Sequence, residues 1–158
     1  MPNSIEWGVL SGLKTRLETI TTANGYETDV QVVDLIDRFA DVSIEYPAVM
    51  FSPLRVRRPD DERLRRIDAR MTVDLVLLLE TFEDATRKIG NFVADVEKAL
   101  TTDLSGNLDS TLGGLTKDIH VLSDSRYQID SEGGPRAAAL VQIEVVFRYG
   151  AGNPYSST

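Results

Sequence analysis

The residues of this 158-residue sequence that could act as acids or bases include 25 aspartates and glutamates but a single histidine. The sole histidine, His120, lies near Asp118, Ser123 and Ser125 in a stretch typical of a β-strand. Because side chains alternate along a strand, residues this close in sequence cannot converge on one point as a Ser-His-Asp triad must. We therefore interpret His120 as a partly exposed histidine of a strand.

Paired carboxylates could bind a metal ion or act in acid–base catalysis, and two acidic runs occur. Glu83 and Asp84 would point about 100° apart on a helix, so they are better explained as first-turn residues that oppose the helix dipole. The run at residues 60–62 is better explained as a solvated loop. The chain has no cysteine, and the phosphate-binding motifs GxGxxG and GxxxxGKS/T are missing. We expect no enzyme activity, no cofactor and no metal site.

The most distinctive feature is a run of arginines between positions 55 and 70. These seven arginines and the four acidic residues among them give a net charge of +3, whereas the whole chain has a net charge of −8. Arginine suits two-pronged pairing with carboxylate or phosphate. The candidate interface residues are Arg55, Arg57, Arg58, Arg63, Arg65, Arg66 and Arg70.

Three interpretations of this arginine-rich stretch remain open. It joins two predicted strands, and about a dozen residues is long for such a connection. It could be a solvated loop that balances its own acids, or an arm that docks on an acidic surface of an adjacent subunit. It could also contact nucleic acid, although no aromatic residue interleaves the arginines.

Two apolar stripes at three- and four-residue spacing predict the helices that would position these residues. The first helix covers residues 4–21 and ends before Asn24 and Gly25, which tolerate positive φ. The second helix covers residues 82–100, with Thr81 as its N-cap. The stripe of the second helix consists of Phe82, Ala85, Ile89, Phe92, Val93, Val96 and Leu100.

Alternating or continuous apolar residues predict strands at residues 29–36, 47–56, 71–80, 117–130 and 139–149. Residues 37–46 are ambiguous. Two prolines in the second strand favour a position at a sheet edge or an early end. A loop at residues 131–135 makes the last two strands an antiparallel hairpin. On the final strand, Gln142, Glu144, Val146 and Arg148 form an outer face that suits either water or a wet protein contact.

This order of elements predicts an α+β fold, a single antiparallel or mixed β-sheet of four to five strands with two main helices packed on one face. Residues 1–150 would form a single domain, and residues 151–158 a flexible C-terminal tail. No apolar run approaches the roughly 20 residues that span a bilayer, and the N-terminus lacks signal-peptide features. We therefore expect folding in a reducing cytoplasm and no membrane contact. The net charge also disfavours nonspecific nucleic-acid binding by the whole surface.

Several local sequences stand at corresponding places in this layout. The opening helix runs into LETI (residues 17–20), and YPAVMF (46–51) enters an extended segment. After the strand at 71–80, TFEDA (81–85) begins the second helix, and FRYG (147–150) closes the last strand. This pattern, which covers residues 5–149, resembles the tail terminator (tail-completion) proteins of long-tailed bacteriophages.

The resemblance implies a non-enzymatic structural protein of the virion, assembled in the host cytoplasm and placed at the head-proximal end of the tail. Such proteins form a homo-oligomeric ring, typically a hexamer, on the last ring of tail tube protein and end tube polymerisation. The ring then joins the head–tail connector or a head-completion protein, and DNA passes through without specific binding. An acidic lumen would suit that passage. The alternative is a head-completion or neck adaptor protein of the head–tail interface.

Overall fold

Alternating apolar side chains assemble five strands into one mixed sheet in the computed structural model, which describes residues 3–36, 45–59, 65–131 and 134–155. The strand order is β1-β2-β3-β5-β4; β1 pairs parallel with β2, and the other neighbours are antiparallel. The strands are β1 (Val32–Leu35), β2 (Ala48–Arg57), β3 (Arg66–Glu80), β4 (Asp118–Ser131) and β5 (Gly134–Gly150).

Two helices, α1 (Ile5–Leu17) and α2 (Ala85–Thr101), pack on the same face of this sheet. Together with the sheet they confirm the predicted α+β class and the one-sided arrangement of the helices. The core lies between the two layers, where burial of each large apolar side chain contributes about 1.5–3 kcal/mol. The largest fully buried side chains include Phe51, Phe92, Phe147, Leu13, Leu17, Ile20, Met71, Leu75, Leu77, Leu100 and Ile143.

The first helix is shorter than predicted and ends at Leu17 rather than at residue 21. Its last turn tightens because the backbone N–H of Thr19 donates to the carbonyl of Arg16 (3.2 Å), to which the Thr19 hydroxyl also donates (2.6 Å). Ile20 then turns into the core and is fully buried. Gly25, with φ 84°, follows a short 3₁₀ turn in the left-handed region, where glycine carries no Cβ strain.

The second helix begins at Ala85, so the predicted start at residue 82 and the N-cap at Thr81 are wrong. The Thr81 hydroxyl donates to the carbonyl of Glu83 (2.6 Å) and closes a turn ahead of the helix. Asp84 occupies the cap position with φ 53°, and its side chain makes no capping hydrogen bond. Phe82 therefore lies outside the helix, 79% exposed, and is not part of the buried stripe.

Strand lengths also differ from the predictions. β3 begins at Arg66 and β5 at Gly134, each five residues earlier than predicted, whereas β1 is only four residues long. β1 pairs with β2 only as far as Phe51, so Pro53 lies where β3 is the sole described neighbour of β2. A register shift between Pro53 and Arg55 adjusts the pairing there, as expected for a proline in a strand.

Some predictions fall on residues outside the described ranges, namely 37–44, 60–64, 132–133 and 156–158. They include most of the ambiguous segment at 37–46 and the acidic run at 60–62. In the proposed tail, the carbonyl of Pro154 accepts a hydrogen bond from the backbone N–H of Ile5 (2.9 Å). The division into a domain of residues 1–150 and a flexible tail stays a prediction.

Candidate interface at the arginine-rich end of the sheet

Four of the seven arginines in the arginine-rich stretch lie on strands and not in a connecting loop, which corrects the sequence interpretation. Arg55 and Arg57 belong to β2, and Arg66 and Arg70 belong to β3. Only Arg58 and Arg65 lie in the described parts of the connection. Arg63 lies outside the described residues. The pairing of β2 with β3 extends to Arg55, Arg57 and Arg70. Backbone hydrogen bonds therefore fix the positions of the Cα atoms that carry these side chains.

Glu144 of β5 pairs with two of the arginines on the sheet face turned away from the helices. Arg57 and Arg70 stand opposite each other across β2 and β3. Arg70 Nη1 donates to Glu144 Oε1 at 2.8 Å, and Arg57 Nη2 lies 3.9 Å from Glu144 Oε2. The Glu144 side chain is only 13% exposed, whereas that of Arg57 is 61% exposed. One largely buried carboxylate thus orients two outward-reaching guanidinium groups.

Asp68 of β3 forms a second centre on the same face. Arg148 of β5 donates to both of its carboxylate oxygens (2.7 and 3.2 Å), and Lys117 Nζ donates to one of them (3.0 Å). The hydrogen bond from Arg148, assisted by Lys117, lowers the pKa of Asp68 to about 2 against partial desolvation. The same pairing raises the pKa of Arg148. This centre therefore stays ionised across the physiological pH range.

Arg58 contacts a tyrosine whose ring is buried in the core. Its Nε donates to the hydroxyl of Tyr149 (2.6 Å), and its guanidinium carbon lies 5.9 Å from the centroid of the Tyr149 ring. Tyr149 is buried and packs beside Phe147. Arg58 is exposed like the arginines around it, and through Tyr149 it is also tied to a buried residue of the fold.

Together these residues form what we call the arginine cluster. In the contacts above, its cations meet the carboxylates of Asp68 and Glu144, so the described residues of this region carry an excess of positive charge. Arg55, Arg57, Arg65, Arg66 and Arg70 are exposed. Pro59, Arg65, Arg66 and Arg70 line a shallow depression of about 580 Å³ beside Asp68 and Arg148. The cluster consists of Arg55, Arg57, Arg58, Arg65, Arg66, Arg70, Lys117 and Arg148.

The two carboxylate centres were only partly foreseen from sequence. The alternation of the last strand placed Glu144 and Arg148 on the outer face, and the structure confirms that placement. Sequence reasoning missed Lys117 as a member of the cluster, and Asp68 and Tyr149 as residues that contact it, because these contacts join positions far apart in sequence. Asp68 was counted as an acid of the arginine-rich stretch, and its place on a strand facing β5 follows only from the register of β3.

The remaining candidate residues that the structure describes lie in two separate places. His120 is a half-exposed residue of β4, as predicted, with Nε2 at 3.2 Å from Asp118 Oδ2. The hydroxyl bound to Asp118 belongs to Ser110, at 2.8 Å, and this hydrogen bond is the main cause that lowers the pKa of Asp118. Glu83 and Asp84 precede α2 instead of occupying its first turn.

Two further features limit the kinds of site present in the described ranges. Within them, no three side chains of histidine, aspartate or glutamate come together in the way a metal ion requires. None of the helices described is both long enough and apolar enough to cross a bilayer.

Comparisons with known proteins complete the description. No protein-family model matches the sequence, and no curated protein matches it. Among solved structures, the chain is similar to a chain of the virion of a native gene transfer agent particle, with 17% sequence identity and a TM-score of 0.47. The match covers 90% of this chain and 91% of that one. A similarity of this strength does not by itself assign a role to the protein.

Proposed function

We propose that this protein is a structural protein of a virion that caps the tail tube as a ring, and that the arginine cluster is its contact with an adjacent subunit. The observation that carries the proposal is the ordered excess of arginines on strands β2 and β3. The order of elements on which the resemblance to tail terminators rests is also present in the fold.

The geometry argues against a solvated loop that balances its own acids. Arg57 and Arg70 are held in cross-strand register and oriented by Glu144, so their positions are fixed before any partner arrives. Ordered arginines lose less side-chain freedom on binding than flexible ones, which favours a protein contact.

The chain itself offers a chemically suitable partner. The chain has 25 acidic and 17 basic residues, and the basic ones are concentrated in the cluster, so the rest of the chain is acidic. A contact between the basic end of one copy and an acidic surface of the next is head-to-tail, and such contacts close into rings when the rotation permits. An acidic remainder around the lumen would also leave DNA free to slide.

A nucleic-acid interface is less well supported. Proteins that hold single strands stack bases on exposed aromatic rings between their cations. Tyr149, the aromatic residue in contact with the cluster, is buried and engaged with Arg58.

Charge reversal at the cluster tests the proposed contact. In the R57E/R66E variant, both changes fall on exposed side chains, so we expect melting within about 3 °C of wild type. We also expect loss of ring-sized particles and of tube capping, measured by native mass spectrometry and by electron microscopy of tubes polymerised with the purified protein. The matched control is K14E/R87E, which reverses two exposed cations elsewhere, with the same change in net charge.

Three outcomes would contradict the proposal. If the wild-type protein stays monomeric even with tail tubes present, the proposed ring is ruled out. If R57E/R66E assembles as well as wild type, the arginine cluster is not the contact between subunits. If tubes have normal, uniform length in assemblies that lack the protein, it is not a tail terminator. If microscopy places the protein's density on the head side of the joint, the head-completion adaptor is favoured instead.

A further inference from the structure

The edge strand β4 has features that the proposed ring contact does not use. It is the last strand in the sheet order and pairs only with β5, so its outer backbone edge has no partner strand among the described elements. Side chains 122–128 are all exposed. Unpaired edges of this length are templates for pairing with another chain.

The middle of β4 also carries exposed apolar groups. Leu122 is 51% exposed and Tyr127 is 53% exposed. Proteins that only protect an edge cover it, shorten it, twist it with bulges or fill it with charge and proline. A register shift between Val121 and Ser123 ends the regular part of β4 at Leu122, and residues 123–128 pair with β5 without interruption. Residues 122–128 contain no proline and only one charged residue of each sign, Asp124 and Arg126. This composition suits a contact more than a protected edge.

The charges of β4 are self-complementary. Asp124 and Arg126 share one face of the strand and flank Ser125. If a second β4 lies antiparallel with Ser125 opposite Ser125, each Asp124 stands opposite the Arg126 of the other copy. A register shifted by two residues in either direction would instead place Asp124 opposite Asp124 or Arg126 opposite Arg126. Opposite charges across a strand pair stabilise it, and like charges directly opposite destabilise it.

We propose that two copies of this protein associate through β4, with an antiparallel pairing centred on Ser125. The two-fold axis is normal to the sheet, so the sheets join into one and the helices of both copies lie on the same side. In the same register, Ser123 stands opposite Tyr127, and Leu122 lies just beyond the regular pairing, at the register shift of β4. The contact is separate from the arginine cluster and pairs two copies, whereas a ring requires a head-to-tail contact.

The test uses the full chain carrying R57E/R66E, so that ring assembly does not obscure pairing. Sedimentation velocity and native mass spectrometry measure the dimer for this parent and for versions that also carry D124R or R126D. Each added change brings like charges together at both symmetric positions, so we expect the dissociation constant to rise about tenfold. The exchanged version, D124R/R126D, should recover the parent value.

Mixing the D124R and R126D proteins separates pairing between copies from the contact within one chain, where Arg126 Nε donates to Asp124 Oδ2 at 2.9 Å. Neither protein retains that internal pair, yet every opposed position in a mixed dimer is complementary. We expect a heterodimer in the mixture at concentrations where each protein alone is monomeric.

A parent protein that is monomeric at all concentrations, or a mixture that shows no heterodimer, would overturn the inference. Circular dichroism verifies that each variant is folded. As a second measurement, the amides of residues 123–127 in the parent should exchange more slowly at high than at low protein concentration, and equal rates would also overturn it. Failure of these tests would leave the ring proposal intact.

Discussion

Asp109 shows how a single residue ties distant parts of this fold together. Its carboxylate accepts hydrogen bonds from the backbone N–H and hydroxyl of Thr111 (2.8 and 2.6 Å), from the N–H of Gly113 (3.0 Å) and from Arg16 Nη2 (3.0 Å). Arg16 also donates to the carbonyl of Thr102 at the end of α2 (2.6 Å). These bonds, those from Thr111 first, hold the pKa of Asp109 well below its usual range.

Replacement of Asp109 by asparagine should lower the free energy of unfolding by about 2 kcal/mol at neutral pH, because Arg16 loses its charged partner in a largely buried site. Since the pKa is lower in the folded state, the carboxylate stabilises the fold fully above the unfolded pKa of about 4 and progressively less below it. The difference between wild type and variant should therefore shrink as the pH falls below about 4. Urea unfolding at several pH values measures it, and Glu97→Gln, at an exposed position of α2, is the control.

At the scale of elements, the start of α2 separates two phenylalanines that the sequence pattern places on one stripe. Phe92 is fully buried between α2 and the sheet, whereas Phe82 lies in the turn before the helix. Helical periodicity does not distinguish the two, because the spacing continues through residues that are not helical. The turn closed by Thr81 and the left-handed conformation of Asp84 decide where the helix begins.

This difference gives a direct test of the element boundary. Phe92→Ala should lower the free energy of unfolding by about 3–5 kcal/mol through the cavity it leaves. Phe82→Ala should change it by less than about 0.5 kcal/mol, as expected for an exposed position. Chemical denaturation measures both, and a large loss for Phe82→Ala would mean that this side chain is buried in solution.

The sheet and the two helices were predictable because their apolar periodicity is continuous over many residues. The extension of β3 back to Arg66 was not, because Arg66 and Arg70 read as loop residues when only their own charge is considered. Their strand conformation comes from pairing with β2 and β5. For the same reason, the arginines could be proposed as an interface from sequence, but Asp68 and Glu144 could not be identified as the groups that orient them.

For the whole molecule, the separation of charge is the feature on which the proposed ring contact depends. The arginine cluster is an excess of positive charge on a chain with a net charge of −8. Contacts between exposed charges weaken as salt shortens the screening length, from about 10 Å at 0.1 M to about 3 Å at 1 M. Backbone pairing and apolar contact along β4 depend less on that screening.

Raising the salt concentration should therefore dissociate the ring-sized particles before it dissociates the β4-paired dimer. Sedimentation velocity across a salt series, with wild type and R57E/R66E compared at each step, measures both species. Ring-sized particles that persist unchanged in about 1 M salt would contradict an interface built on the arginine cluster.

The position of β5 within the sheet has a consequence for synthesis. It is the last of the five strands to leave the ribosome, yet it lies between β3 and β4 and separates the two halves of the sheet. Until it is made, β4 has no neighbour and β3 is open along one side. An unfinished copy therefore cannot present a completed sheet, so any contact that needs the whole sheet has to wait for the end of synthesis.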